Sequence, residues 1–181
     1  MAFELQTPPA RVDEFRRSGL WPDRLVTECL DAAVSAHPDR PAIIGYDSQA
    51  GRRVSFTYAE LSQMVDRVAL GLIETGIEPG DVVSVQLPNY WQFAVLHMAC
   101  VRIGAITNPL MPIFRQRELS FMLPFAGAKA IFVPRRYRGH DYPAMIDALR
   151  GDAADLQHVF VIDGPEPDAF LALFPDSGRD R

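Results

Sequence analysis

Apolar residues recur along this 181-residue chain with two alternating periods, one suited to strands and one to helices. Leu25, Val26, Cys29, Leu30, Ala33 and Val34 fall at helical spacing and predict a helix that ends near His37 and Pro38. Pro41 to Tyr46 predicts a strand. The polar stretch from Asp47 to Gly51 predicts a turn, and Arg53 to Phe56 its hairpin partner. The next helix has the clearest start. Thr57 and Glu60 have the spacing of a capping box, in which each side chain satisfies a backbone N–H at the helix start. Leu61, Met64, Val65, Val68, Leu72 and Ile73 form its apolar stripe, and Gly76 is placed to end it.

The same alternation continues. After the turn at Pro79 and Gly80, Val82 to Leu87 predicts a strand. Asn89 and Gln92 repeat the capping spacing ahead of a helix whose stripe is Phe93, Leu96, Cys100 and Ile103, with Gly104 at its end. Ala105 to Thr107 is a short strand. A helix carrying Glu118, Leu119, Met122 and Phe125 ends near Gly127, and Ala130 to Val133 is the strand that follows. Tyr142 to Arg150 predicts a helix and Val159 to Ile162 a last strand. Short, nearly continuous apolar strands between amphipathic helices imply a layered α/β fold with a mostly parallel sheet covered by helices. The strands Val82 to Leu87 and Ala130 to Val133 carry few charges, so either one left as an open edge would invite pairing.

Three regions follow from this pattern. Residues 1–20 are a loose lead-in with one short helical turn from Asp13 to Gly19. Residues 21–163 are the structured part, and residues 164–181 are an irregular tail broken by Pro165, Pro167 and Pro175.

Composition narrows the function classes. A formal net charge of −5 argues against a nucleic-acid-binding surface. The longest apolar run, Phe93 to Val101, contains His97, ends at Arg102 and is too short to span a bilayer. With no basic, apolar leader at Met1 to Ala10, the expected location is cytoplasmic. Cys29 and Cys100 lie far apart in apolar helical contexts and read as two buried, reduced thiols.

The residues that carry chemistry are sparse. Lys129 is the single lysine, set between Gly127 and Ala130 in a turn into a strand, and none of the twelve glycines makes a phosphate-cradling loop with it. His37, His97, His140 and His158 have no metal-ligand spacing. His97 reads as a core-edge residue with a hydrogen-bond partner, and His140-Asp141 as a loop pair. Arg135, Arg136 and Arg138 follow a strand end, where α/β sheets place ligand loops. They read as a solvated loop or, alternatively, as a seat for a small anion. Tyr90, Trp91 and Phe93 read as packing. These residues alone indicate a fold class and no catalytic, cofactor-binding or metal site.

The order of the segments adds a resemblance. His37-Pro38-Asp39-Arg40-Pro41-Ala42, Phe56-Thr57-Tyr58-Ala59-Glu60-Leu61 and Gly76-Ile77-Glu78-Pro79-Gly80-Asp81 come first. Leu87-Pro88-Asn89, Ala99 to Ala105, Asn108-Pro109-Leu110, Glu118-Leu119 and Ala128-Lys129-Ala130 follow in order. Together they resemble the opening of the AMP-binding, adenylate-forming superfamily over residues 20–163. The Asn108 to Pro112 stretch is most similar to the medium-chain and cyclohexanecarboxylate-type acyl-CoA ligases. The resemblance implies a partial N-terminal domain of an enzyme that activates a carboxylate with ATP and passes the acyl group to coenzyme A, with a place in fatty acid metabolism. ATP, Mg and CoA serve the full-length family. The family's phosphate loop, Tyr-Gly-x-Thr-Glu segment, ribose aspartate and C-terminal lysine have no counterpart in this sequence. The expectation is a truncated synthetase, inactive alone and needing no cofactor of its own, that self-associates or meets a complementary C-terminal polypeptide. The alternatives are a non-catalytic binding module or remnant and an unrelated flavodoxin-like protein.

Overall fold

The computed structural model describes residues 7–47, 51–162 and 167–174. The start of the lead-in, the tip of the first hairpin and parts of the expected tail lie outside the described residues. Pro9 occupies the first turn of helix α1 (Pro9–Arg17), where its missing N–H is no loss, so a helix begins inside the stretch read as a lead-in. In α2 (Val26–Ala36) the buried positions are Thr27 and Leu30. Cys29 faces outward, one position from that stripe, and is exposed; the expectation that it is buried is corrected. Strands β1 (Pro41–Asp47) and β2 (Arg52–Thr57) pair antiparallel, with Ile43 opposite Phe56 and Gly45 opposite Val54.

Helix α3 (Tyr58–Glu74) starts as its capping box predicts. The Glu60 N–H donates to Thr57 Oγ1 at 3.2 Å, and the Thr57 N–H donates to Glu60 Oε2 at 2.8 Å. It ends in a Schellman motif: the Gly76 N–H reaches Ile73 O and the Ile77 N–H reaches Leu72 O, while Gly76 takes φ 85°. Strand β3 (Val82–Val85) leads to α4 (Trp91–Ile103). The residue before α4 is Tyr90, and no side chain caps that helix, so the cap expected of Asn89 does not form. Strand β4 (Ile106–Pro109), α5 (Gln116–Ala126) and β5 (Ala128–Pro134) follow. Next come the two-residue strands β6 (Arg136–Tyr137) and β7 (His140–Asp141), then α6 (Tyr142–Asp147), β8 (His158–Ile162) and α7 (Pro167–Leu171).

The parallel sheet runs in the order β4-β3-β5-β8. Strand alternation divides its side chains between two cores. Val83, Val85, Ala130 and Phe132 meet α3 and α4 on one face, and Ile131 and Val133 meet α5 and α6 on the other. The strands read as poorly protected if left open, from Val82 and from Ala130, are the two central ones; among the described strands β4 and β8 form the edges. Apolar side chains on both faces are what a central strand needs, so their lack of charge reflects burial.

Helix α7 lies within the stretch expected to be irregular. Phe170 and Phe174 are fully buried, with Phe174 beside Phe132 and Phe160 and Phe170 edge-on to Trp91. Arg67 of α3 holds this segment by its carbonyls, donating from Nε to Phe174 O at 2.7 Å and from Nη2 to Leu171 O at 2.9 Å.

Candidate functional site

Ligands of open α/β sheets bind beyond the carboxyl ends of the strands, near the point where strand order reverses. Here that point is beside β3, since β4 joins on one side and β5 on the other. A cleft of about 490 Å³ opens there. Its walls are Ile43, Ile44 and Gly45 of β1, the turn from Leu87 to Tyr90, the start of α4, and the loop from Pro109 to Pro112. The lining is almost wholly apolar, with Asn89 as the one amide side chain. Tyr90, Trp91 and Phe93 line it and also pack: Trp91 lies 4.8 Å from Phe56 between ring centroids.

The loop that forms one wall is held by its backbone. Gln86, fully buried at the end of β3, donates from Nε2 to Met111 O at 3.1 Å and to Phe114 O at 3.0 Å. Tyr142 Oη donates to Pro112 O at 2.7 Å, and burial pushes the Tyr142 phenol pKa up, so it stays a donor. Arg115 donates to the same Pro112 carbonyl and to Phe114 O at 2.9 Å, with its guanidinium 5.5 Å above the Tyr142 ring. Three side chains thus hold three carbonyls of one loop, those of Met111, Pro112 and Phe114. The sequence carried one hint of this, a glutamine just after an apolar strand; the partners of Gln86 and Tyr142 lie 25 or more residues away and left no local signal.

The sequence-predicted candidates do not converge on this cleft. Lys129 is the extra residue where the β3–β5 register slips between Val82 and Val83. Its Nζ donates to Gly76 O at 2.8 Å and to Asp81 Oδ2 at 2.6 Å. The lysine therefore ties the turn after α3 to the sheet. Arg135, Arg136 and Arg138 are exposed, and none lines the cleft. Arg136 sits 3.7 Å from Asp141, and Arg138 (φ 50°) and Gly139 (φ 77°) make the tight turn of the β6–β7 hairpin.

Two of the histidines have side-chain partners within the fold. His97 Nδ1 meets Thr107 Oγ1 at 3.1 Å, as expected of a core-edge residue. His140 borders a second hollow with Arg115, Gln116, Asp141 and Met145; burial lowers its pKa and the nearby Arg115 charge lowers it further, favouring the neutral ring. Asp141 accepts from the Ala144 N–H at 3.1 Å and caps α6, a role its reading as a loop pair missed. Among the described residues no three His, Cys, Asp or Glu side chains gather as metal ligands, and no helix is long and apolar enough to cross a membrane. Among the described residues the lining does not fit a nucleotide or its metal: the lysine is engaged, Arg135, Arg136 and Arg138 lie outside the cleft, and the cleft is apolar.

Comparison with known proteins gives this fold a family context. The sequence matches the family described as AMP-binding enzyme over residues 30–180. It is 37% identical over 160 residues to a salicyl-AMP ligase / salicyl-S-ArCP synthetase of Mycobacterium tuberculosis, covering 88% of this chain and 28% of that protein. It is 30% identical over 153 residues to a medium-chain fatty-acid–CoA ligase of Escherichia coli, covering 84% of this chain and 26% of that one. The solved apo structure of MbtA from Mycobacterium smegmatis superposes with a TM-score of 0.73 at 34% identity, over 86% of this chain and 27% of that chain. This chain therefore spans between a quarter and a third of the length of these relatives.

Proposed function

This chain belongs to the AMP-binding enzyme family, and from that premise we propose that it is a scaffold segment of a carboxylate-activating ligase, without adenylation activity by itself. The whole protein's reaction is then ATP-dependent formation of an acyl-adenylate, followed by transfer of the acyl group to a thiol. The thiol is that of CoA in the nearest reading, with a medium-chain or aryl carboxylate as substrate, since the relatives' names cover both. Nothing in this segment carries a step of that chemistry. Its contribution is a sheet, two covering helix layers and an apolar cleft at the ends of the strands.

The observation that carries this reading is the position of Lys129. Phosphoryl and adenylyl transfer depend on cations and N–H donors aimed at the developing charge. The single lysine is instead closed into a turn by Asp81 and the Gly76 carbonyl. Carboxylate-dependent exchange of pyrophosphate into ATP is the direct assay. The purified chain is expected to show none above background, and clear exchange by material free of host synthetases would overturn the reading.

A further inference from the structure

The segment from α7 to Phe174 is joined to the rest of the fold by side chains. Among the described residues no backbone–backbone hydrogen bond ties it to another element; the Leu173 N–H donates to Phe170 O and the Phe174 N–H to Leu171 O, both within the segment. Helix α7 has five residues, too few to persist as a helix in water unaided. Phe170 and Phe174, both fully buried, seat it, and Arg67 holds the Leu171 and Phe174 carbonyls. An element held in this way can open without breaking a strand ladder, so it belongs with the parts of a fold that undock before the whole chain unfolds.

A second observation connects that seat to the cleft. Trp91 lines the cleft, and its ring stands edge-on to Phe170 with centroids 5.4 Å apart. From Phe170 the rings continue to Phe174 at 5.7 Å, and from Phe174 to Phe160 of β8 at 5.8 Å. One run of neighbouring aromatic rings therefore leads from the cleft wall through α7 to the sheet. Close-packed interiors leave no spare room for one ring to move without its neighbours. If α7 lifts away, Trp91 loses the ring it packs against and the cleft loses a fixed wall. Conversely, a guest that holds Trp91 in place favours the seated α7.

We propose that α7 and Phe174 form a strap with two states, seated and lifted, and that filling the apolar cleft favours the seated state through the contact of Trp91 with Phe170. The lining selects the guest: an apolar ring or chain with one polar group, for which Asn89 is the partner. The coupling is reciprocal, so the factor by which a guest favours seating is the factor by which seating raises the guest's affinity. This inference stands apart from the ligase-segment reading, because it uses only contacts within this chain.

The test uses the full 181-residue chain with indole as the probe, an apolar ring carrying one N–H. Amide hydrogen exchange is read at residues 169–174, at the cleft turn 89–92, and in β3 and β5. Indole is expected to protect the turn and to slow exchange at 169–174 by about fivefold or more. Arg67→Met keeps the apolar stem and removes the donors to both carbonyls. It is expected to speed exchange at 169–174 by about tenfold, to leave β3 and β5 unchanged, and to weaken indole binding by about fivefold. Phe170→Leu, which keeps the position apolar but removes the ring, is expected to abolish the effect of indole on 169–174. Exchange at 169–174 that occurs only together with β3 and β5 overturns the proposal, because the strap then has no lifted state of its own. Protection of the turn without any change at 169–174 overturns it too, as does unchanged indole affinity in Arg67→Met. Slowing at 169–174 with an unprotected turn would place the probe under the strap, and absence of indole binding would show that the cleft takes no apolar guest; either result also overturns it.

Discussion

Gly71 of α3 and Phe174 are complementary: a Cβ at Gly71 would lie 2.5 Å from Phe174 Cδ1 and 2.9 Å from its Cβ. The ring cannot step aside easily, because Phe174 is fully buried and Arg67 holds its carbonyl oxygen. Glycine inside a helix normally lowers stability by about 0.5–1 kcal/mol relative to alanine. Here the clash reverses the sign. Gly71→Ala is expected to destabilise the chain by about 1–3 kcal/mol, as overpacked cores do. Urea denaturation of Gly71→Ala, Phe174→Ala and the double variant checks it. The glycine effect should shrink or invert once the ring is gone, and a stabilised single variant would show that the tail does not seat on α3.

The Thr57–Glu60 box should be measurable separately. Thr57→Ala removes the acceptor for the Glu60 N–H and one partner of the Glu60 carboxylate. The expected loss is about 1 kcal/mol. Glu60→Ala should lose less, since its own side chain is exposed and water replaces it readily. Equal stability of Thr57→Ala and the parent chain would mean that packing of Leu61, Met64 and Val65 alone sets the helix start.

Acid should weaken the joint between α3 and the sheet. Burial works to raise the Asp81 pKa, but hydrogen bonds from Lys129 and the Glu78 N–H, with the lysine charge, outweigh it and leave it below its ordinary 3.8. A carboxylate with a depressed folded pKa stabilises the fold above its unfolded pKa, and the benefit is lost as pH falls through the folded value. The loss therefore begins near pH 3.8 and continues below it. Asp81→Asn should lower stability at neutral pH by about 1–2 kcal/mol, typical of hydrogen bonds to charged groups in a partly exposed site. It should also flatten that part of the acid limb. Parallel acid titrations of the two proteins, followed by circular dichroism, would show superimposable limbs if the pair were idle.

The two thiols should separate by reactivity. Cys29 is exposed, whereas Cys100 is buried and its pKa is pushed up to about 11 by desolvation, with hydrogen bonding from Thr107 opposing. The thiolate is the reactive form. A thiol reagent such as DTNB at neutral pH should titrate Cys29 promptly in the native chain and Cys100 only after denaturation. Rapid modification of both in the native state would mean that the α4 core opens easily.

Much of this protein was legible along the chain because the signals were local. The Thr57–Glu60 box, the Gly76 and Gly104 helix ends and the strand-then-helix alternation each lie within a few residues of the feature they specify. The ordered motifs from His37 to Ala130 carried the family resemblance, which the family match over residues 30–180 bears out. Local pattern misled where two faces competed. Cys29 sits one position off the buried stripe of α2, and one residue on a helix is a rotation of about 100°. Asn89 had capping spacing, yet the turn ran on to Tyr90 before the helix began.

What only the tertiary structure decided depends on distance in sequence. Strand order cannot be read from short, mostly apolar strands, so the sequence left the central and edge positions open, and the structure puts β3 and β5 inside and β4 and β8 outside. The seat of Phe174 on Gly71 spans about a hundred residues, as do the Arg67 bonds to the same segment. The loop that lines the cleft with β1 is held by Gln86 and Tyr142, which arrive from distant parts of the chain, and by Arg115 at its own end. Periodicity reports which face of an element is buried; it carries no information about which element buries it, and the cleft is built entirely from that second kind of relation.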